Sequence, residues 1–577
     1  MTIAAQRSEA QPLLTRIEAL AGDQWRCCGG CAALLHRDRL AAQSGVCPEC
    51  GWYFRLGARE RIAALVDPGT FVEHPADART TDPLAFVDSV PYPQRLARAR
   101  SRTGLDEAVV VGVGQLGGVA VTLVVFDFDF LGGSMGSAVG EGFAIAARHA
   151  RTAGTPLVSI AASGGARMQE GVFSLLQMAK TAAEVAALRQ SGTPFVSVLT
   201  DPVFGGVSAS FAALGDVIVA ERGARAGFAG RQVIEQTIRQ RLPAEFQTAE
   251  FLVGHGHIDA VVDRAALPAT LRRLVYLLHR PLAVDAGTGP VPVDAGPVDA
   301  GPKDSWDAVT RARTPGRPTV VEYVDRIFTG FVELRGDRWS GDDQAVVGGL
   351  AQLDGRTVMV LGHAKGRNTA ENVTRNFGMP HPSGFRKAIR LYQLAERLGV
   401  PVVTFVDTAG AYPGMRAEEG NQSGAIAEAL AVAAGLRVPM VTVVTGEGGS
   451  GGALALAVGD RLLMQRNTIF SVISPEGCAT ILFGDAGRAP EAARALRVHA
   501  EELYAAGVAD EIVGEPDGGA HADPGRAADL VADALRRHLA ALGRIPVAGL
   551  LAARGRRLAG HAAGSTEPAE RLGDPHV

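Results

Sequence analysis

The chain repeats itself. Pro156-Leu-Val-Ser-Ile-Ala-Ala-Ser-Gly-Gly-Ala166 lies without a gap over Pro401-Val-Val-Thr-Phe-Val-Asp-Thr-Ala-Gly-Ala411. Pro194-Phe-Val-Ser-Val-Leu-Thr200 lies over Pro439-Met-Val-Thr-Val-Val-Thr445 at the same 245-residue offset (401 − 156 and 439 − 194). Each second segment then meets a glycine pair, Gly205-Gly206 in one copy and Gly451-Gly452 in the other. Each copy goes on to a Gly-Asp step, Gly215-Asp216 and Gly459-Asp460. Four matches in one order mark a duplication, so the chain must fold as two like domains. A purely structural core needs apolar side chains where these copies keep Gly-Gly, which points to chemistry at the glycines.

The surrounding patterns place that duplication. The 577 residues allow two to four domains, and the 47% apolar share is that of a globular chain. Short β-branched runs such as 109–113 and Val119–Phe126 alternate with Ala-rich amphipathic stretches such as 173–187, predicting an α/β domain over residues 59–280. Residues 281–318 carry Val-Asp-Ala-Gly three times among prolines and read as an interdomain linker. A second α/β domain is predicted over 319–542, with tails at 1–23 and 543–577 and a cysteine-rich module at 24–58. The longest apolar runs are too short to cross a bilayer, and the first residues lack the basic start and apolar block of a secretory signal. A cytoplasmic enzyme is expected. The net charge of −4 argues against a general nucleic-acid binder, whose phosphate contacts need a basic surface.

Cys28-x2-Cys31-x15-Cys47-x2-Cys50 has the spacing of a tetrahedral zinc site with two knuckles. Four sulfurs leave no open coordination position, so the expected Zn²⁺ is structural. Cys27 offers only a CxxxC frame and is read as a bystander.

The glycine pairs suggest a second kind of site. In Leu199-Thr-Asp-Pro-Val-Phe-Gly-Gly-Val-Ser-Ala-Ser-Phe211 a strand ends, the chain turns through glycines and a small-residue helix begins. A helix start leaves backbone N–H groups unpaired, and glycine lets an oxygen approach them. That geometry suits an oxyanion such as the enolate of an activated thioester. Thr445-Gly-Glu-Gly-Gly-Ser-Gly-Gly-Ala-Leu454 repeats the device, and Leu131-Gly-Gly-Ser-Met-Gly-Ser137 is a third glycine-dense loop. No GxxxxGK[ST] occurs and no strand carries GxGxxG into a helix, which disfavours phosphate-loop and Rossmann readings.

These residues resemble a known family. Ser163-Gly-Gly-Ala-Arg-Met-Gln-Glu170, the 199–211 segment and Gly227-Phe-Ala-Gly-Arg-Gln-Val-Ile-Glu-Gln236 resemble the carboxyltransferase β subunit of bacterial acetyl-CoA carboxylase, whose zinc ribbon matches Cys28, Cys31, Cys47 and Cys50. Arg375-Asn-Phe-Gly-Met-Pro380, Ala411-Tyr-Pro-Gly414, the 446–453 loop and Ser471-Val-Ile-Ser-Pro-Glu-Gly-Cys478 resemble the α subunit. The resemblance implies an α/β chain with two crotonase-like (ββα-superhelix) domains in tandem behind a small four-cysteine zinc ribbon, the β and α subunits being fused. It implies transfer of a carboxyl group from carboxybiotin to acetyl-CoA, giving malonyl-CoA for fatty acid synthesis. Gly205 and Gly206 would then donate N–H groups to the enolate oxygen, and Gly451 and Gly452 to the ureido oxygen of biotin. Gly164, Gly165, Ala166 and Arg167 would contact CoA, with a structural salt bridge as the alternative for Arg167. No side-chain base stands out, and biotin N1 would take the acetyl proton. Biotin would come on a separate carrier protein charged by a separate biotin carboxylase, because none of Lys180, Lys303, Lys365 and Lys387 sits in Met-Lys-Met. A homodimer or higher homo-oligomer is implied.

Weaker candidates are Lys365, Arg367, Arg375, Arg386 and Lys387, a basic run suited to CoA phosphates or the carboxylate, with a solvated helix face as the alternative for Arg386 and Lys387. His363 reads as a satisfied core or turn histidine, Glu447 as an orienter of the second loop, and Cys478 as a buried small hydrophobe. Ala409 and Gly420-Asn421 depart from the α-subunit pattern, where proline and Arg-Gly are usual, and bear on acyl-chain or carrier preference. Two alternatives stay open: another acyl-CoA such as propionyl-CoA, and a zinc-ribbon nucleic-acid-binding protein using Arg26, Arg37, Arg39, Arg55, Arg59 and Arg61 beside Trp52, Tyr53 and Phe54.

Overall fold

The computed structural model describes residues 24–74, 80–279 and 299–560. The expected tail at 1–23, residues 561–577 of the expected tail at 543–577, and the first part of the linker lie outside the described residues. The chain forms two compact units, one running to Phe251 and including Val261–Tyr276, the other holding Leu252–Ala260 and the chain from Leu277.

In the first unit β1 (Trp25–Cys27) and β2 (Leu34–His36) form a small antiparallel ribbon. The main sheet contains β3 (Val72–Glu73), β4 (Val109–Leu116), β5 (Val119–Phe126), β6 (Leu157–Ser163), β7 (Phe195–Phe204), β8 (Val217–Glu221), β9 (Ala226–Gly227) and β10 (Ala260–Val262). Its order among the described residues is β10-β8-β7-β6-β5-β4-β3, with β9 beside β7. β4 and β5 form a hairpin through the left-handed pair Gly117-Gly118, the backbone that matches strand twist in a two-residue turn. From β5 to β8 the strands are parallel, crossed over by the helices Ser137–Ala153 and Val172–Gln190. Strands covered on both faces carry no polar alternation, and every residue of β6 is buried.

The second unit repeats this plan with β11 (Thr329–Glu333), β12 (Val346–Leu353), β13 (Arg356–His363), β14 (Val402–Thr408), β15 (Met440–Gly449), β16 (Arg461–Gln465), β17 (Ile469–Ser471) and β18 (Glu511–Val513). The order is β11-β12-β13-β14-β15-β16-β18, with β17 beside β15. The bounds of β14 and β15 are those of β6 and β7 shifted by 245 residues (402 − 157, 440 − 195). The helices Val320–Ile327 and Pro524–Leu542 pack Tyr323, Val324, Val531 and Leu535 against Val360, Phe405 and Val443 of the sheet.

Two expected boundaries move. The end of the proline-rich linker is ordered: Asp304 caps the helix Ser305–Ala312, whose Ala308, Val309 and Ala312 pack against Ile469, Ala493 and Val498. Only the segment before it has the composition of a spacer. The C-terminal region read as tail from residue 543 contains the helix Val547–Gly560, held by Arg554. That guanidinium is buried, pairs with Asp460 (2.8 Å) and donates to the carbonyls of Ala433 and Leu436 at the end of the helix Gln422–Gly435. A cation at a helix C-terminus meets the negative end of its dipole.

Candidate active site

The central parallel strands of each unit end in the same backbone cradle. In the first unit β6 leads into Gly164-Gly165-Ala166. Gly164 N–H donates to Gly132 O (2.9 Å), Gly165 N–H to Ser163 Oγ (3.0 Å) and Arg167 N–H to Met135 O (3.0 Å). The Ala166 N–H has no partner among the described residues. Beside it β7 ends, Gly205 turns left-handed (φ 56°) and the short helix Gly205–Ser208 begins. The Gly205 N–H is committed to Phe228 O (2.9 Å), so Gly205 is not the ligand donor expected from the sequence; its part is the left-handed turn. Gly206 N–H, in the first helical turn, has no partner among the described residues. A Cβ on Gly206 would stand 3.3 Å from Ala166 N, so the two unpaired N–H groups are neighbours.

The second unit builds the same cradle from Ala409-Gly410-Ala411 and the helix Ser450–Leu454. Gly410 N–H donates to Thr408 Oγ1 (3.1 Å) and Tyr412 N–H to Pro380 O (3.0 Å), and Ala411 N–H has no partner among the described residues. Ser450 (φ 57°) takes the left-handed place of Gly205, and the N–H groups of Gly451 and Gly452 have no partner among the described residues. A Cβ on Gly452 would fall 2.3 Å from Ala411 N, and one on Gly449 2.1 Å from Ala409 O. Only glycine permits that approach. The loops behind the two cradles also match: Leu131, Gly132 and Gly133 (φ 50°, 68°, 61°) stand 245 residues before Asn376, Phe377 and Gly378 (φ 48°, 54°, 73°).

Charge separates the halves. Lys365 Nζ lies 2.7 Å from Asp407 Oδ1 and 3.0 Å from Glu447 Oε2, while Arg313 Nε lies 2.6 Å from Glu447 Oε1 and Arg313 Nη1 2.6 Å from Glu476. Burial alone would depress the Lys365 ammonium, but Asp407 and Glu447 hold its pKa above the usual lysine value. Burial would raise Glu447, and Lys365 and Arg313 hold it below the ordinary carboxylate range. At the 245-residue offset the first unit has Ala162 and Pro202 in place of Asp407 and Glu447.

The sulfurs of Cys28, Cys31, Cys47 and Cys50 lie within 4.8 Å of one another, with Cys28–Cys50 at 3.5 Å and Cys31–Cys47 at 3.8 Å. Four thiolates about 2.3 Å from a central Zn²⁺ stand about 3.8 Å apart, so the set fits a tetrahedral ion. All four are free cysteines, and Gly30 N–H donates to Cys28 Sγ (3.3 Å). Cys27 lies outside the cluster.

A family profile described as "Acetyl co-enzyme A carboxylase carboxyltransferase-like" matches residues 303–561. A protein of Salinispora arenicola named acetyl-coenzyme A carboxylase carboxyl transferase subunits beta/alpha is 53% identical over 550 residues, covering 93% of this chain and 96% of its own. The chain belongs to the acetyl-CoA carboxylase carboxyltransferase family. A carboxyltransferase of the same name from Saccharopolyspora erythraea is 50% identical over 556 residues, 96% of this chain and 95% of its own. The crystal structure of a transcarboxylase 12S with methylmalonyl-coenzyme A and methylmalonic acid bound superposes with a TM-score of 0.67 at 23% identity, covering 93% and 96% of the two chains. That likeness establishes the crotonase-like fold.

Within this carboxyltransferase several expected contacts take other roles. Arg167 is fully buried: its guanidinium meets Glu107 (2.5 and 2.9 Å), Glu170 (3.4 Å), Tyr92 OH (3.1 Å) and both Ser134 oxygens. No donor is left for CoA, and Arg167 is the structural ion pair of the alternative reading. Gly164 and Gly165 likewise spend their N–H groups on the fold, leaving Ala166 of that set. Lys387 faces inward, 1% exposed, and donates to Asp343 O and Val346 O, while the half-buried Arg386 pairs with Asp337 (3.2 Å). Arg367 pairs with Glu371 at the surface and Arg375 donates to Gln344 O. Cys478 is buried beside Ala479 and Ala492. Asn421 caps the helix Gln422–Gly435, which accounts locally for one departure from the α-subunit pattern. Arg39, Arg55, Arg59 and Arg61, four of the six arginines offered for nucleic acid, are engaged by Glu49, Asp201 O, Glu73 and Glu221. Arg313 and Ala411 escape sequence reasoning. Arg313 lies in the segment whose composition reads as linker, and a free alanine N–H has no side-chain signature beyond its match to Ala166 across the repeat.

Proposed function

We propose that the chain transfers a carboxyl group from carboxybiotin, presented by a separate carrier protein, to acetyl-CoA, yielding malonyl-CoA for fatty acid synthesis. The observation that carries this reading is the doubled cradle, one set of neighbouring unpaired backbone N–H groups in each half. The reaction develops charge on two oxygens. The thioester oxygen becomes an enolate as the α-carbon loses its proton, and the ureido oxygen takes up charge as the N1–carboxyl bond breaks. Fixed N–H dipoles meet such charge without solvent reorganisation. Ala166 and Gly206 serve the enolate oxygen; Gly451 and Gly452, with Ala411, serve the ureido oxygen. The α-carbon bonds to the carboxyl carbon, N1 takes the α-proton, and nothing is oxidised or reduced. Cys28, Cys31, Cys47 and Cys50 hold one Zn²⁺, which closes the ribbon and takes no part in the transfer. The names of the 50–53% identical relatives support the acyl-CoA assignment. A biotin carboxylase and a carrier are the partners, a homo-oligomer the working form, and the cytoplasm, where thiols stay reduced, the location.

The test is the reverse reaction: malonyl-CoA and biocytin, with acetyl-CoA formation followed. Gly206→Pro and Gly451→Pro, where an added Cβ has no contact under 3.2 Å, each delete one donor and should lower kcat by about 10²–10³-fold, the loss typical of one oxyanion donor. Parent-like turnover in both folded variants refutes the assignment of the donors. Turnover only with methylmalonyl-CoA keeps the mechanism and changes the acyl group.

A further inference from the structure

His363 ends β13 and is 1% exposed, yet neither ring nitrogen has a hydrogen-bond partner among the described residues. Buried polar groups are rarely left so, because their desolvation then goes uncompensated. Its counterpart shows what the fold alone requires. Strand β5 meets β6 with Thr122 opposite Leu157, and β13 meets β14 with Met359 opposite Val402. Since Leu157 and Val402 correspond, Phe126 occupies the place of His363. Phe126 is fully buried and stacks on Phe211 (5.6 Å), just beyond the helix Gly205–Ser208. An apolar ring therefore suffices for packing there. In the second unit the ring senses two groups besides its burial. Burial drives it to the neutral form, with a pKa of about 3; the Gly452 backbone acts against burial, and Lys365 acts with it. By the same correspondence, with Phe126 packed just beyond the helix Gly205–Ser208, His363 stands beside the helix Ser450–Leu454 that carries Gly451 and Gly452.

We propose that His363 is a positioning residue for the second cradle, its ring N–H steadying the Gly452 carbonyl and so restraining the adjoining main chain that carries the Gly451 and Gly452 N–H groups. The inference rests on the carboxyl-transfer reading for its consequence and on His363 alone for its geometry. The turn needs such a hold. Gly448, Gly449, Gly451 and Gly452 have the widest conformational freedom of any residues, whereas oxyanion donors act only when pre-set. Close packing on Ala409 and Ala411 restrains the front of the turn, and His363 restrains the back. A neutral ring does so without adding a charge to the Lys365–Asp407–Glu447 cluster. Hydrogen bonds of this kind are often unformed in a ligand-free site and tighten in the complex.

The experiment exchanges His363 for the residue that the first half uses. His363→Phe should keep the fold and the KM for malonyl-CoA while kcat falls by about 10²-fold, the scale of a small misplacement at a reacting centre. His363→Gln, which retains a donor, should recover much of that rate. In parallel, deuterium uptake of the 446–456 segment in the intact chain should quicken in His363→Phe and return towards the parent in His363→Gln. Parent-like kcat in His363→Phe, or equal uptake in all three proteins, overturns the inference. A parent inactive with every thioester, but with faster uptake only in His363→Phe, refutes carboxyl transfer and upholds the hold on the turn.

Discussion

Arg167 distinguishes a structural reading of the first cradle from a ligand-binding one. Arg167→Met removes a guanidinium with no exposed surface and leaves Glu107 and Glu170, both at most 10% exposed in their side chains, without their cation. Breaking a buried pair by deleting one partner costs about 3–5 kcal/mol, because the remaining charge stays desolvated. For a unit of this size each kcal/mol lowers Tm by about 2–4 °C, so the first transition should fall by about 6–20 °C. The assay is calorimetry of the zinc-loaded chain, with KM for malonyl-CoA measured well below the transition. Adding Glu107→Gln should restore part of the loss, since the stranded charge disappears with its partner. KM should stay at the parent value while the protein is folded. An unchanged Tm with a raised KM would refute the reasoning and return Arg167 to the CoA site.

Other consequences are equally open to measurement. Cys47→Ser, or metal removal by a chelator, should abolish binding of one zinc per chain and expose the ribbon around residues 24–58 to proteolysis while both sheets persist. Burial opposes the Glu221 charge, but Arg61 and Arg264 bring its pKa down from an ordinary 4.5 to about 2. A depressed carboxyl stabilises above its unfolded pKa, so this contribution, about 3 kcal/mol, should be complete near neutrality and lost as pH falls from about 4.5 to 2; Glu221→Gln should flatten the stability-versus-pH curve in that window. Arg554→Ala strands Asp460 and should destabilise the second unit by about 3–5 kcal/mol in denaturant titration.

Much of the architecture was legible because it is periodic or repeated. The matched segments at 156 and 401 are β6 and β14 with the same bounds, and the Cys28–Cys50 spacing brings four sulfurs together. What stayed hidden depends on distant partners. Arg167 looks like a ligand-binding arginine until Glu107, 60 residues earlier, is seen against it. Lys387 lies in a polar stretch of helix, and its burial depends on carbonyls some 40 residues earlier in the chain. Arg313 and Arg554 lie in segments whose composition suggests no structure, yet each is fixed by acids more than 90 residues away. Gly205 was credited with a donor it does not offer, since the partner of its N–H, Phe228 O, is set by strand pairing.

The donors assigned to both cradles belong to the peptide unit, which every residue except proline possesses. Systematic replacement by alanine is therefore nearly blind to them: at Ala166 and Ala411 it changes nothing, and elsewhere it reports crowding rather than chemistry. Selection at such positions acts on the path of the main chain, leaving side chains free to drift. Two copies of one main-chain path, with Ala162 and Pro202 in the first where the second has Asp407 and Glu447, are what that freedom permits. Amide-to-ester backbone replacement, which removes the N–H without adding a side chain, would reveal a functional map that conventional mutagenesis of this chain leaves blank.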